Sequence, residues 1–145
     1  MGRRYPSRPV VGVGAVVLDE DRVLLVRRGQ EPQKGLWSIP GGGLELGETL
    51  EEGARREARE ETGLDVRILR FLGTFERILR DDAGEVEFHY VLADYLCEPA
   101  GGDLRAGDDA DRAEWFRRDE IDDLPTTPSA GEAVERAFAL REQLL

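Results

Sequence analysis

One helix constrains this chain more than any other feature. Thr49-Leu50-Glu51-Glu52 has the form of a capping box, with Thr49 as N-cap and Glu52 reaching back to it. Gly63 supplies the stop, since glycine readily takes the left-handed conformation that ends helices. The segment Leu50–Thr62 is therefore expected to be helical, and at about 100° per residue it sorts its charges into two groups. Glu51, Glu52, Arg55, Arg59 and Thr62 share one side, with Glu51–Arg55 and Glu52–Arg56 four apart in the favourable order, and this side reads as solvated. Glu57, Glu60 and Glu61 instead share an arc with Leu50, Gly53, Ala54 and Ala58, the small or apolar residues that should face the body of the protein. Carboxylates crowded there repel one another and lose hydration. A cluster of hard oxygen donors is what Mg²⁺ or Mn²⁺ takes. The competing reading is an acidic helix edge in solvent.

The rest of the chain supplies a body for that helix. Val10–Leu18, the turn Asp19-Glu20-Asp21 and Arg22–Arg28 read as a hairpin behind a basic, proline-containing lead-in at residues 1–9. Gly29–Leu46 reads as a long Gly/Pro-rich loop with a short strand at Leu36–Ile39, and long loops in compact domains are usually functional. Val66–Ile78 and Glu85–Cys97 read as strands joined by the turn Asp81–Gly84, and Glu98–Asp111 as irregular. Ala113–Arg117 reads as a short strand, Arg118–Leu124 as a helical turn or two, and Pro125–Pro128 as a break. Ser129-Ala130-Gly131-Glu132 then looks like a second capping box, opening a helix to Leu144. Strands in this order with two helices predict an α/β domain, a mixed sheet between helices, over the single domain 1–145.

Composition excludes several classes of function. Apolar residues make up 40%, too many for a disordered chain, and no apolar run reaches membrane-spanning length. A net charge of −11 argues against a nucleic-acid backbone as partner, but not against small phosphorylated ligands carried with divalent cations. Cys97, the single cysteine, forms no internal disulfide or zinc cluster, so a cytoplasmic setting is expected. It sits in an apolar run and reads as core. His89, the single histidine, reads as structural or at a pocket rim, since no serine lies in a hydrolase elbow motif.

The segment from Gly42 to Leu64 resembles the Nudix box: a glycine, five residues, Glu, seven residues, then Arg-Glu-aliphatic-any-Glu-Glu-any-Gly-aliphatic. Gly42, Glu48, Arg56, Glu57, Glu60, Glu61 and Gly63 fill the fixed positions, and Ala58 and Leu64 the aliphatic ones. At average residue usage such a match arises on the order of once in 10⁸ windows. The approach Gly35-Leu36-Trp37-Ser38-Ile39-Pro40-Gly41-Gly42, the strand Val23–Arg28 and the later Glu114-Trp115-Phe116 are also similar to the family, so the resemblance covers residues 9–143.

The resemblance implies an α/β/α sandwich and Mg²⁺-dependent hydrolysis of a phosphoanhydride bond in a nucleoside diphosphate linked to another group, with Mn²⁺ as an alternative ion. It implies Glu57, Glu60 and Glu61 as catalytic metal ligands, joined by the Gly41 carbonyl and a late-loop carboxylate, for which Asp109 and its neighbour Asp108 are the candidates. Glu48 and Arg56 resemble the residues that orient and steady this set. Arg27 or Arg28 could grip a phosphate, since a guanidinium matches its geometry. Trp37, Phe75, Phe88 and Tyr90 could stack on a base, with core packing the stronger expectation. The box leaves the substrate open. ADP-ribose or a related nucleotide sugar comes first, although Arg80 stands where compact ADP-ribose pyrophosphatases often carry proline. Oxidised dGTP, sanitised by release of pyrophosphate, is the second reading, and a non-catalytic Nudix-like ligand sensor the third. The partner expected is a nucleotide, with neither nucleic acid nor membrane, and a homodimer is expected because many members form one.

Overall fold

The strand Val10–Asp19 (β1) decides how two helices come to lie on opposite sides of one sheet. In the computed structural model, which describes residues 3–145, its side chains alternate in direction. Val13, Ala15 and Val17 pack with Ala54 and Ala58 of the helix Leu50–Thr62 (α1). Val16 and Leu18 pack with Ala133, Val134, Ala137 and Phe138 of the helix Pro128–Leu144 (α2). The strand Arg22–Arg28 (β2) repeats the pattern, with Leu24 on the α1 side and Val23 and Leu25 on the α2 side. Each of these fully buried Leu and Phe side chains contributes roughly 1.5–3 kcal/mol of transfer free energy. The first two residues of the lead-in lie outside the described residues.

The remaining strands are Trp37–Ser38 (β3), Gly41–Gly43 (β4), Leu64–Arg80 (β5), Val86–Gly102 (β6) and Ala110–Arg117 (β7). The sheet runs β3-β2-β1-β6-β5, with β4 also paired to β1 and β7 to β2. β1 and β6 are parallel and the other pairings antiparallel, so the sheet is mixed and lies between helices, as the sequence predicts.

Several boundaries differ from those read in the sequence. Gly41–Gly43 is not loop but a strand: it pairs with Gly12–Gly14 of β1, and a Cβ on Gly41 would stand 2.5 Å from the Val13 carbonyl oxygen. Glycine is a poor strand former, and only this close approach selects it. Glu98–Gly102 continues β6 instead of turning irregular: Pro99, Gly101 and Gly102 pair with Val66, Asp65 and Leu64, and a bulge absorbs Ala100 between them. β7 begins at Ala110, ahead of the expected Ala113. α2 opens at Pro128 with Thr127 as N-cap, so Ser129 lies inside the helix and is not its cap. Proline at the first helical position has its φ already set and needs no N–H partner, so Pro128 starts the helix and does not break the chain there.

Candidate active site

α1 begins and ends as its sequence requires. The Glu52 amide donates to Thr49 Oγ1 at 3.1 Å, the Thr49 amide donates to Glu52 Oε1 at 2.8 Å, and Gly63 takes φ 77°. The face assignment needs two corrections. Thr62 is fully buried, its hydroxyl donating to the Ala58 carbonyl at 2.5 Å, because the loop at Arg105 covers that end of the helix. Glu60 is the outermost of the three inward glutamates, with 40% of its side chain exposed, and Leu50 is exposed as well.

Arg56 organises the acids. It grips Glu48 with two nitrogens at 2.6 and 2.9 Å, and donates to Glu57 at 2.8 Å, Glu60 at 3.1 Å and the Gly43 carbonyl at 3.0 Å. Its hydrogen bonds hold the Glu48 carboxyl below the usual range. Glu57 packs against Gly42, where a Cβ would stand 2.6 Å from Glu57 Oε2, so this glycine is required by close approach. Burial raises Glu57, partly offset by Arg56. Burial raises Glu60 too, with Asp108 beside it adding to the rise. Glu61 is only 7% exposed and is pushed up to about 8 by burial, against the 2.8 Å hydrogen bond it accepts from the Gly41 amide.

The late loop closes on this wall. The Arg105 and Gly107 amides donate to the Thr62 and Glu61 carbonyls at 2.8 and 3.1 Å, and the Gly29 amide donates to the Asp109 carbonyl at 2.7 Å. These bonds bring Asp108 and Asp109 to the cleft, where Asp108 raises Glu57 and Glu60, and Asp109 raises Glu61. Of the two arginines expected to meet phosphate, Arg28 lines the cleft and Arg27 does not: Arg27 points outward to Asp111 at 2.7 Å. Successive strand residues face opposite sides, so only one of such a pair can enter.

The other wall of this cleft, whose volume is about 730 Å³, was legible in the sequence only at Phe88 and Tyr90, and not at Arg77, Leu92 or Asp94. Phe88, Tyr90, Leu92 and Asp94 alternate along β6 and all line it. The rings of Phe88 and Tyr90 are near parallel at 6.5 Å. Of the four aromatics weighed above, Trp37 and Phe75 belong to the core, whereas these two form cleft wall. His89 points away from the cleft, and Cys97 is buried in the core, its thiol pushed up to about 12 by burial. Asp94 is 2% exposed and fits only because Gly14 lacks a Cβ, which would lie 2.5 Å from Asp94 Oδ1. Burial pushes it up to about 7, against the pull of nearby Arg77. Arg77 donates to Ser129 Oγ at 3.1 Å, and Thr127 Oγ1 beside it is buried with no partner. The hint available was the period-2 series from Phe88 to Asp94, an apolar strand ending in an acid.

As they stand, no three His, Cys, Asp or Glu side chains converge on an ion among the described residues. The donor set nevertheless suits a hard divalent cation. Glu61 is a buried and Glu57 a half-buried carboxylate, both raised by desolvation, Asp109 lies near Glu61, and among the described residues Glu61 forms no ion pair. A cation between these groups relieves the cost that burial and mutual repulsion impose.

Known proteins are similar to this chain in sequence and in fold. The family model described as NUDIX domain matches residues 8–137. An ADP-ribose pyrophosphatase of Methanocaldococcus jannaschii is 38% identical, over 84% of this chain and 68% of its own. An 8-oxo-dGDP phosphatase of Homo sapiens is 34% identical, over 89% of this chain and 39% of its own. A MutT NUDIX hydrolase from Burkholderia pseudomallei superposes with a TM-score of 0.76 at 30% identity, over 90% of this chain and 98% of that one. With the family's domain spanning nearly the whole length and Glu57, Glu60 and Glu61 of its box on one wall of one cleft, the chain belongs to the Nudix hydrolases, enzymes that act on small nucleotide substrates and generally use divalent cations.

Proposed function

We propose that this enzyme hydrolyses the phosphoanhydride bond of a nucleoside diphosphate linked to another moiety, ADP-ribose or a related nucleotide sugar first, with Mg²⁺ as its ion and Mn²⁺ as a substitute. The observation that carries the reading is a cleft with buried acids on one side and, on the other, aromatic rings beside Arg28 and Arg77, neither of which forms an ion pair among the described residues. Such a cleft has room for a metal-bound diphosphate and for a flat nucleoside next to it. The two core clusters share β1 and β2, which supports treating residues 1–145 as one domain. Among the described residues no helix is long and apolar enough to cross a membrane.

Glu57, Glu60, Glu61, Asp109 and the Gly41 carbonyl would hold the ion, which when bound neutralises phosphate oxygens and makes a water more acidic. Arg56 keeps Glu48 and Glu57 in place. A carboxylate of this wall takes the proton of the attacking water, a role suited to groups raised toward neutrality. Arg28 meets phosphate oxygens with its planar fork. Phe88 and Tyr90 offer a face for a base.

The second reading, release of pyrophosphate from oxidised dGTP, is favoured by the likeness to a human 8-oxo-dGDP phosphatase, a protein named for an oxidised guanine nucleotide. A ligand sensor without catalysis is disfavoured by the full set of box glutamates in the sequence, of which Glu57, Glu60 and Glu61 line the cleft. A panel of ADP-ribose, NADH, diadenosine polyphosphates, GDP-mannose and oxidised dGTP, assayed with Mg²⁺ and again with EDTA, decides between them. Cleavage of ADP-ribose in preference to the rest, lost with EDTA, is expected. Preference for oxidised dGTP selects the second reading, and turnover that survives EDTA overturns the metal-dependent chemistry.

A further inference from the structure

The cleft has a third boundary, made by the chain's beginning. Arg3 and Arg4 both line it, although residues 1–9 read only as a basic lead-in. The two arginines are placed differently. Arg4 is bound to Glu87 at 2.6 Å, whereas the Arg3 guanidinium occupies the space beside Gly43 that a Cβ would fill. Gly43 is also the residue whose carbonyl accepts from Arg56. Arg3 enters no ion pair among the described residues, in a protein whose net charge is −11.

The segment is held in this position by specific ties. Tyr5 adopts φ 52°, an uncommon conformation for a non-glycine residue and one that persists only when its surroundings impose it. Here the Tyr5 amide donates to the Glu87 carbonyl at 2.6 Å, and the Tyr5 hydroxyl donates to Asp81 Oδ2 at 2.8 Å. Asp81 is itself fastened by the Ala83 and Glu85 amides in the β5–β6 turn. The lead-in thus runs from a fixed point on the β5–β6 hairpin across to β4. Arg4 and Tyr5 carry the anchoring contacts, and Arg3, with no ion pair among the described residues, reaches Gly43.

We propose that Arg3–Tyr5 is a strap that delivers the Arg3 guanidinium to the phosphate groups of a diphosphate ligand, at the edge of the cleft formed by β4. The ligand class rests on the reading given under Proposed function. A planar cation with five donors, held without a carboxylate partner beside the acid wall, suits bidentate contact with phosphoryl oxygens. The acids would bind the ligand only through cations, and Arg3 adds a direct contact beside them.

The test uses the full chain. Steady-state hydrolysis of ADP-ribose with Mg²⁺ is measured for wild type, Arg3→Ala, Arg3→Lys and Asp81→Asn. Binding of inorganic pyrophosphate with Mg²⁺ is measured by calorimetry on the same four proteins. Arg3→Ala is expected to raise KM and the pyrophosphate Kd about tenfold, the size of one charge-assisted contact, with kcat within about twofold and Tm unchanged. Arg3→Lys keeps the charge without the fork and is expected to recover only part of the loss. Asp81→Asn, which weakens the tie at Tyr5, is expected to show a smaller rise in KM. Pyrophosphate binding by Arg3→Ala equal to wild type overturns the strap. A fall in Tm and kcat with KM unchanged also overturns it, since that marks a packing role. A wild type that binds pyrophosphate through Arg3 but cleaves no diphosphate substrate refutes the proposed function and leaves the strap standing.

Discussion

The two walls of the cleft handle buried charge in opposite ways. On the α1 wall the acids are neighbours in sequence, and a single arginine ties Glu48, Glu57 and Glu60 together. On the β5–β6 wall Asp94 and Arg77 come from different strands, each more buried than Arg56, and neither is saturated by protein partners. The first wall is braced by local bonds and awaits cations. The second leaves an acid, a guanidinium and the Thr127 hydroxyl facing the cleft, an arrangement suited to recognising the organic part of a ligand. On the proposed reading, chemistry and selectivity belong to different elements, and similar proteins carry names for different nucleotides, ADP-ribose and 8-oxo-dGDP.

The largest effect should come from the α1 wall. Glu57→Gln or Glu61→Gln is expected to lower kcat by about 10³-fold or more, because an amide is a poor ligand for a hard cation. The fold should survive, since each substitution keeps side-chain volume and removes a charge that burial opposes. Near-normal turnover by either variant would erase the distinction between the walls.

A smaller effect, in stability, should come from the opposite wall. Burial raises Asp94 from an ordinary 3.8 to about 7. Between these values the unfolded chain gives up the proton and the folded chain retains it. The unfolded state then binds fewer protons, so stability falls as pH rises through this window and levels off above it. Asp94→Asn should flatten this fall and raise Tm at pH 8, by a few degrees per kcal/mol recovered. Glu61, raised to about 8, carries a drop of the same sign that remains in the variant and is relieved by added Mg²⁺. Thermal melts from pH 4 to 9, with and without Mg²⁺, test both. An unchanged profile for Asp94→Asn would mean that its carboxyl is solvated.

The smallest contrast separates two adjacent arginines. Arg28→Ala is expected to raise KM about tenfold, the cost of one guanidinium–phosphate contact. Arg27→Ala should change KM by less than about twofold, because its exposed pair with Asp111 is worth at most about 1 kcal/mol. Equal effects would show that the cleft extends beyond its present rim.

The sequence by itself determined the helix, its caps, the order of most strands and the acid set of the α1 wall. Those features are local: a capping box, a glycine stop and glutamates three and four apart are properties of consecutive residues. Even so, it misread Thr62 and Glu60, since helical periodicity places a side chain at an angle but does not say what covers that angle. Only the tertiary structure decided which glycines are strand, because Gly41–Gly43 is selected by the backbone of β1 and not by its own propensity. It also decided that Arg28 enters the cleft and Arg27 does not, that Arg77 meets Ser129 and lies near Asp94, and that the lead-in reaches Gly43. Each of these depends on pairings between residues distant in the chain, which no short window of sequence contains.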